Sequence, residues 1–522
     1  MSEQVISSQP GTGKIAFPLQ DHLSFLWLVV GFVILIFSNG MQIIPIAAWL
    51  GPVFMVRFLR TRKAASGLLL GYLVNAVAFY FEWRAAFQDA GAMFTLYTAA
   101  FGLLVFLPYV IDRLIRPQIK GFAATLVLPA AWVTVEYLLH LILPLGTFFS
   151  IAYTQSLNLP LLQIMSITGL WGVTFLVAWF ASVVNYAWEG GFDVRQVGWG
   201  VAVYAGILLA VVFLGGLRLA LVPPANETVQ VAVLVTNVNK EVIPADTSEL
   251  HQRLIAGTLT PADREGLAQS MTDINNDLLE RSRLLAKTGS KIITWTEYNA
   301  HVFKDEESVF LDRGRQLARE EHIYLVFPLI TIQTDPMLRA EPAQLIENKS
   351  VMITPAGEIA YQYIKTKLLI GWEDEHASRG PGHIQAIDTP YGKLTSVICL
   401  DMDFPDFMRQ AGQQGVDIVL SGAIDGTPDS KGNPLHSVMA AYRTIESGFS
   451  LARGGYYGQS VAVDYQGSVL GRNNYYGASD RTLIAHLPVK GTQTVYSLVG
   501  DFFPWFCLFG LSGVIVAIIF QK

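Results

Sequence analysis

The sequence predicts an α-helical membrane bundle of about eight spans that carries one α/β domain, and three observations predict it. Of the 522 residues, 52% are hydrophobic and only 15% charged, too apolar a balance for an ordinary water-soluble chain of this length. The excess sits in two places, a block over residues 23–221 and a short segment over 502–520, in apolar runs of membrane-crossing length. Between them, residues 227–488 have a globular composition and the length of one α/β domain with a full core.

The N-terminal block resolves into seven predicted spans where apolar runs are broken by polar residues, Pro or Gly. They are Leu23–Phe37, Ile43–Val56, Gly67–Phe81, Met93–Val110, Phe122–Leu141, Gln163–Trp188 and Val197–Leu221, and Phe502–Phe520 is the eighth. The first run lacks a small-residue cleavage site and leads directly into another span, so a retained span is expected rather than a signal peptide. Arg57, Arg60, Arg62 and Lys63 follow the second span, and Arg113, Arg116 and Lys120 follow the fourth, whereas Pro144–Gln155 has neither Lys nor Arg. Short cytoplasmic loops retain such cations, so residues 1–22 and Lys522 are expected in the cytoplasm and residues 227–488 on the opposite, periplasmic face of a bacterial inner membrane.

The net charge of -6 gives no reason to expect a nucleic-acid partner. Two cysteines, Cys399 and Cys507, exclude a disulfide framework and a Cys-rich zinc site, and the nine histidines show no HExxH spacing, so no metal is predicted. Cys507 lies inside the last span and reads as packing. Glu136, an ionisable residue within a span, reads as structural or cavity-lining.

In the soluble part, strands are predicted at Val229–Val235, Lys291–Trp295, Ile323–Leu329, Ser350–Thr354, Leu394–Cys399 and Ile418–Leu420. Helices are predicted for a long polar stretch ending near Leu285 and for Glu306–Glu321, Phe404–Gly415 and Leu435–Ser447. Three segments carry chemistry. Ile292-Ile-Thr-Trp-Thr-Glu297 is an apolar strand with a carboxylate at its tip, where a general base would be held rigidly. Tyr363-Ile-Lys365 through Trp372-Glu373 places a Lys and a Glu on either side of a buried turn. Leu394-Thr-Ser-Val-Ile-Cys399-Leu-Asp-Met-Asp-Phe-Pro delivers a Cys to a tight turn before a helix, exposing the sulfur and leaving backbone N–H groups, Leu400 among them, for a developing oxyanion.

Each segment alone has a plainer reading. A Cys ending an apolar strand is more often inert core, a carboxylate after a strand is usually solvated, and a single Lys says less still. Glu, Lys and Cys together, in that order and each on the expected element, are far less readily a product of chance than any one alone. The acidic run Glu373-Asp-Glu-His376 has contiguous spacing that fits a solvated lid better than a metal site, Glu373 excepted. Segments Asp374–Pro381 and Asp425–Asn433 are rich in Gly, Pro and polar residues and are expected to gate substrate.

With these residues in view, the chain resembles the nitrilase (carbon–nitrogen hydrolase) superfamily and, within it, the apolipoprotein N-acyltransferases. Trp132 and Glu136 match that family's Trp-x-x-x-Glu helix, followed by Gly146, Tyr153, Gln155, Gln163 and Gly172. Asn348 precedes a strand ending Pro355-Ala-Gly357, and His436, Arg443, Glu446, Arg453, Gly458, Ser460, Asp464 and Gly467 follow the pattern of a later stretch. Tyr496 and Gly500-Asp501 resemble the approach to the last span. The resemblance implies a four-layer α-β-β-α sandwich with Glu297 as general base, Lys365 as the cation for the oxyanion and Cys399 as nucleophile, a thiolate stabilised by the neighbouring ammonium. Glu373, Leu400 and Asp401 would support them.

It also implies a phospholipid acyl donor, a diacylglyceryl apolipoprotein acceptor, a thioester on Cys399 and no cofactor. This chain departs from the family at Ile370-Gly-Trp-Glu373, where Pro-Phe-Gly-Glu is usual, and at Leu400-Asp401 in place of Tyr-Glu. Ser421-Gly-Ala-Ile-Asp-Gly-Thr-Pro428 replaces a Ser-Asn-Asp-x-Trp-Phe turn, and Thr236-Asn-Val-Asn239 stands where a Gln-Gly-Asn turn is expected. The acceptor therefore stands open between the lipoprotein amine, another amine, and water as in a membrane-anchored amidase.

Overall fold

The computed structural model describes residues 18–40, 42–84, 91–224, 226–238, 242, 248–341, 344–427 and 434–521. Most of the segment 1–22, Asn239, residues 428–433 of the expected gating segment and Lys522 lie outside the described residues. The chain divides into two compact units, with boundaries at Leu143/Pro144, Gly146/Thr147, Leu221/Val222 and Gly500/Asp501.

The first unit is helical. Among the described residues, six helices are long and apolar enough to cross a membrane: Ala64–Trp83, Phe94–Gln118, Phe122–Ile142, Trp171–Glu189, Val194–Leu221 and Phe502–Phe520. The other two predicted spans fall on shorter helices, Ser24–Leu35 with 12 residues and Pro45–Thr61 with 17. The first covers only about 18 Å at 1.5 Å per residue, short of a hydrocarbon core of roughly 30 Å. The predicted span Gln163–Trp188 is interrupted at Gly169, whose φ of +65° ends the short helix Met165–Thr168 before Trp171–Glu189 begins. Glu136 is held by Trp132 Nε1, the Ile151 N–H, Ser150 Oγ and Thr174 Oγ1 at 2.7–3.1 Å. Every acceptor need of that buried carboxylate is met, which agrees with a structural role.

Among its described residues the second unit has thirteen strands: β1 (Thr228–Leu234), β2 (Ile292–Trp295), β3 (Ala300–Phe303), β4 (Tyr324–Ile332), β5 (Ile346–Ile353), β6 (Ile359–Ile364), β7 (Ala386–Thr389), β8 (Gly392–Ile398), β9 (Ile418–Ile424), β10 (Ser450–Tyr456), β11 (Gln459–Val463), β12 (Val469–Asn474) and β13 (Thr482–Pro488). One sheet has the order β13-β1-β2-β4-β5-β6 with β3 paired to β4, and the other runs β12-β11-β10-β9-β8-β7. Side-chain alternation explains the layering. In β1, Val229, Val231 and Val233 enter the core shared with Leu394 and Ile418 of the second sheet. Ala232 and Leu234 instead face Leu267, Met271 and Leu278 of helix Pro261–Lys287. The second sheet is covered in turn by Phe407 and Met408 of helix Pro405–Gln413 and by Ala440 of helix Pro434–Ser447. The result is the α-β-β-α sandwich.

Candidate active site

Three strand ends deliver the three expected residues. Glu297 lies two residues past β2, and the strand tip is locked because Thr296 Oγ1 bonds the carbonyls of Ala423 and Gly454 in the second sheet at 2.8 and 3.0 Å. Trp295 fixes the strand from the other side, stacked on Phe327 with ring centroids 4.5 Å apart. Lys365 follows β6 directly, its N–H donating to the Asn348 carbonyl of neighbouring β5 at 2.9 Å. Cys399 follows β8 with φ of +49°, a left-handed backbone in a non-glycine residue. Such strain costs on the order of 1–3 kcal/mol and turns the chain sharply into the 3-10 turn Cys399–Asp403. The N–H groups of Cys399 and Leu400, at the start of that turn, have no acceptor within it.

Lys365 is the hub. Its Nζ lies 2.9 Å from Glu297 Oε1 and 2.8 Å from both oxygens of Glu373. Asn348 Nδ2 bridges the same two carboxylates, donating at 2.7 Å to Glu297 and 3.0 Å to Glu373. Backbone N–H groups complete the shell, Ile424 to Glu297 Oε2 at 3.0 Å and Leu369 to Glu373 Oε2 at 2.8 Å. Glu297, Asn348, Lys365 and Glu373 are all buried. Asn348 entered the sequence reading only through resemblance. The strand predicted to begin at Ser350 begins at Ile346, because Asn348 and Lys349, polar in sequence, sit buried on its continuation with specific partners.

The electrostatics correct one expectation. Burial opposes a charged Lys365, yet the carboxylates of Glu297 and Glu373 hold its ammonium well above the usual lysine range. Burial and then Glu297 push the Cys399 thiol well above its ordinary value, and Lys365 offsets this only in part. Burial and Glu297 thus favour the thiol over the thiolate expected beside an ammonium, because that ammonium is shared between two carboxylates. Sγ lies 3.9 Å from the Ile424 carbonyl. The turn between Lys365 and Glu373 also differs from expectation: Glu373 is buried in the one-turn helix Trp372–His376, but Leu369 and Ile370 at the tip are more than half exposed.

Asp401 staples the turn that begins at Cys399 to the loop after Lys365. It accepts from the N–H groups of Ile398, Thr366 and Lys367 at 2.8–3.2 Å and from Tyr363 Oη at 2.7 Å. Burial nevertheless pushes its carboxyl up to about 6. A second charged group lies past Ile424: Asp425 pairs with Arg453 at 2.5 and 2.9 Å and faces His436 Nδ1 at 3.3 Å. Burial would raise Asp425, but Arg453 and His436 hold it down to about 2. The site can thus pass a proton from sulfur to a buried carboxylate beside a fixed cation, the requirement for a thiol to attack and release an acyl group.

Comparison with known proteins accounts for both units. The family model described as apolipoprotein N-acyltransferase N-terminal domain matches residues 22–183, and that described as carbon-nitrogen hydrolase matches residues 279–496. The chain is 23% identical over 446 residues to an apolipoprotein N-acyltransferase of Geobacter metallireducens, covering 80% of this chain and 79% of that one. It is 22% identical to apolipoprotein N-acyltransferase 1 of Treponema denticola over 96% of this chain and 97% of that one. A deaminated glutathione amidase of Yersinia enterocolitica is 24% identical over 34% of this chain and 65% of its own length. Among solved structures, an amidase from Nesterenkonia sp. AN1 in complex with butyramide overlays 51% of this chain and 94% of its own at 16% identity, with a TM-score of 0.38. Two matched domains in one chain, a helical unit with membrane-length helices and an α-β-β-α unit, make this a multi-pass bacterial membrane protein. Together the two family models and the acyltransferase relatives, which cover most of the chain, support a protein of the apolipoprotein N-acyltransferase type within the nitrilase superfamily.

Proposed function

We propose that this protein transfers a fatty acyl group from a membrane phospholipid to the N-terminal amine of a diacylglyceryl-cysteine lipoprotein through a thioester on Cys399. The observation that carries the reading is the buried Glu297–Lys365–Glu373 cluster beside a Cys on a left-handed turn. In the first half-reaction the Cys399 sulfur attacks the ester carbonyl while Glu297 takes the thiol proton. Lys365 and the Leu400 N–H stabilise the oxyanion, and Glu297 returns the proton to the departing lysophospholipid oxygen. In the second, the acceptor amine attacks the thioester, gives a proton through Glu297 to the leaving sulfur, and departs as the amide. Glu373 and Asn348 orient Lys365 and Glu297, and Asp401 holds the turn. The ester supplies the driving force, so no cofactor takes part.

The Arg and Lys of the loops after the second and fourth predicted spans support a periplasmic position at the inner membrane for the catalytic unit, residues 227–488 in its core. Tethering through Leu221 and Phe502 keeps the site among lipid-bound substrates and raises their effective concentration. Hydrolysis is the second reading. The amidase relatives support it only over the soluble unit, whereas the acyltransferase relatives also match the helical one.

The test is a transfer assay in detergent with an acyl-labelled phospholipid and a diacylglyceryl peptide. Label appearing on the peptide amine supports the transferase. Label released as free fatty acid at the same rate with or without peptide sinks it in favour of the hydrolase.

A further inference from the structure

Lys365 has three ammonium donors, and three contacts of 2.8–2.9 Å run from it to Glu297 and Glu373. Asn348 also spends its amide donor on those two carboxylates. The cation assigned to the oxyanion thus has its hydrogen-bonding capacity taken up in the resting site. A tetrahedral oxyanion forming at Cys399 calls for a donor that is nearby, neutral and uncommitted.

Tyr298 supplies one. It follows Glu297 directly and has a φ of +57°, a conformation that costs a bulky side chain on the order of 1–3 kcal/mol and persists where surrounding structure imposes it. Its ring is fixed by packing, set against both the helix-side core of the first sheet and the group formed by Val235, Tyr456 and Tyr475 with Ile424. His301 meets it edge-on at 6.0 Å between centroids. Ile424 is the residue whose N–H binds Glu297 and whose carbonyl lies beside Cys399 Sγ. The phenol lies in the field of Glu373, Glu297, Lys365 and Cys399, and burial with the two carboxylates keeps it protonated well above the usual tyrosine range. Tyr361 and Tyr363 have their hydroxyls held by Ser396 and by Asp401. The Tyr298 hydroxyl makes no hydrogen bond among the described residues.

We propose that Tyr298 is a further catalytic residue, its O–H donating a hydrogen bond to the oxyanion that forms when Cys399 attacks an acyl carbonyl. The proposal rests on the reading of Cys399 as an acyl-accepting nucleophile. The phenol keeps its proton throughout, so the proton path through Glu297 is unchanged.

The test is Tyr298→Phe in the full chain, which keeps the ring and removes only the donor. Cys399 acylation is followed by quenched-flow mass spectrometry with two donors, a phospholipid and a p-nitrophenyl ester. Removing one oxyanion donor should slow acylation by roughly 100-fold at saturation, with KM, final adduct extent, thermal midpoint and pH profile unchanged. Site-specific 3,5-difluorotyrosine at position 298, a stronger donor that retains the hydroxyl, should restore the rate. Acylation by Tyr298→Phe within threefold of wild type, or a difluorotyrosine variant as slow as the Phe variant, overturns the proposal. The ester donor keeps the two readings apart. Wild type that is acylated by the ester but not by phospholipid contradicts the phospholipid reading, while the 100-fold gap with the ester still supports Tyr298.

Discussion

The two units each bury a cluster of charges, and the clusters are built differently. In the helical unit Arg60 contacts Asp112 and Glu189 at 2.8 Å, and Arg116 contacts Glu189 at 2.6 Å. Two guanidiniums face two carboxylates. In the soluble unit one ammonium, Lys365, serves two carboxylates, Glu297 and Glu373, beside a thiol held neutral. A matched cluster settles its own charge and serves the packing. An unmatched one leaves a carboxylate able to accept a proton, and it sits beside backbone strained at Tyr298 and Cys399. Imbalance, not burial, separates a site that can react from a charge network that only holds helices together.

Substitutions can break this contrast. Glu297→Gln removes the surplus carboxylate that accepts the proton, so acylation of Cys399 should slow by about 10²–10⁴-fold with the thermal midpoint unchanged or raised. A variant that keeps its rate would erase the distinction. Arg60→Met should do the reverse, taking from Asp112 its hydrogen-bonded guanidinium and leaving Glu189 with Arg116 alone, at a cost of about 3–5 kcal/mol. Chemical denaturation in detergent would read that loss, while turnover per folded molecule stays near wild type.

Asp401 sharpens the contrast through pH. Its folded value is raised from 3.8 to about 6, so the folded protein holds that proton while the unfolded chain has released it. Its contribution is full below about pH 4 and is lost as pH rises through 6, by up to about 3 kcal/mol. Asp401→Asn should remove this slope from a series of thermal midpoints taken between pH 4 and 7. Asn348→Ala takes a bridging donor from both carboxylates and should cost about 1–3 kcal/mol, with acylation reduced less than in Glu297→Gln. At the small end, Arg283→Ala breaks exposed pairs with Glu320 and Glu321 and should change stability by less than about 1 kcal/mol.

Much of the site was legible because chemistry sits at strand ends. Glu297 and Cys399 each close an apolar run, so the strand pattern itself points at them, whereas Lys365 closes β6, a strand that is not among those predicted. Asn348 was not legible from pattern, since a buried amide inside a strand looks like a loop until its two carboxylate partners are known. The neutral state of the Cys399 thiol was also hidden. It depends on how Lys365 is divided between Glu297 and Glu373, a matter of geometry rather than residue type.

In the fold, β9 and the helix Glu307–Glu321 fall where the apolar pattern places them. β10 escapes, because Ser450-Leu-Ala-Arg-Gly-Gly-Tyr456 carries a buried Arg453 paired with Asp425 and two glycines that lie against other chain segments. Apolar composition runs through Gly169 and past Leu35, but helical backbone does not.

The most direct test of the central claim is intact-protein mass spectrometry of the detergent-purified chain after incubation with phospholipid, alongside Cys399→Ala, followed by addition of a diacylglyceryl peptide. The expected result is one acyl-chain mass added to wild type, absent from Cys399→Ala, and discharged onto the peptide amine. A wild type that takes up no acyl mass, or one labelled equally without Cys399, would contradict the account.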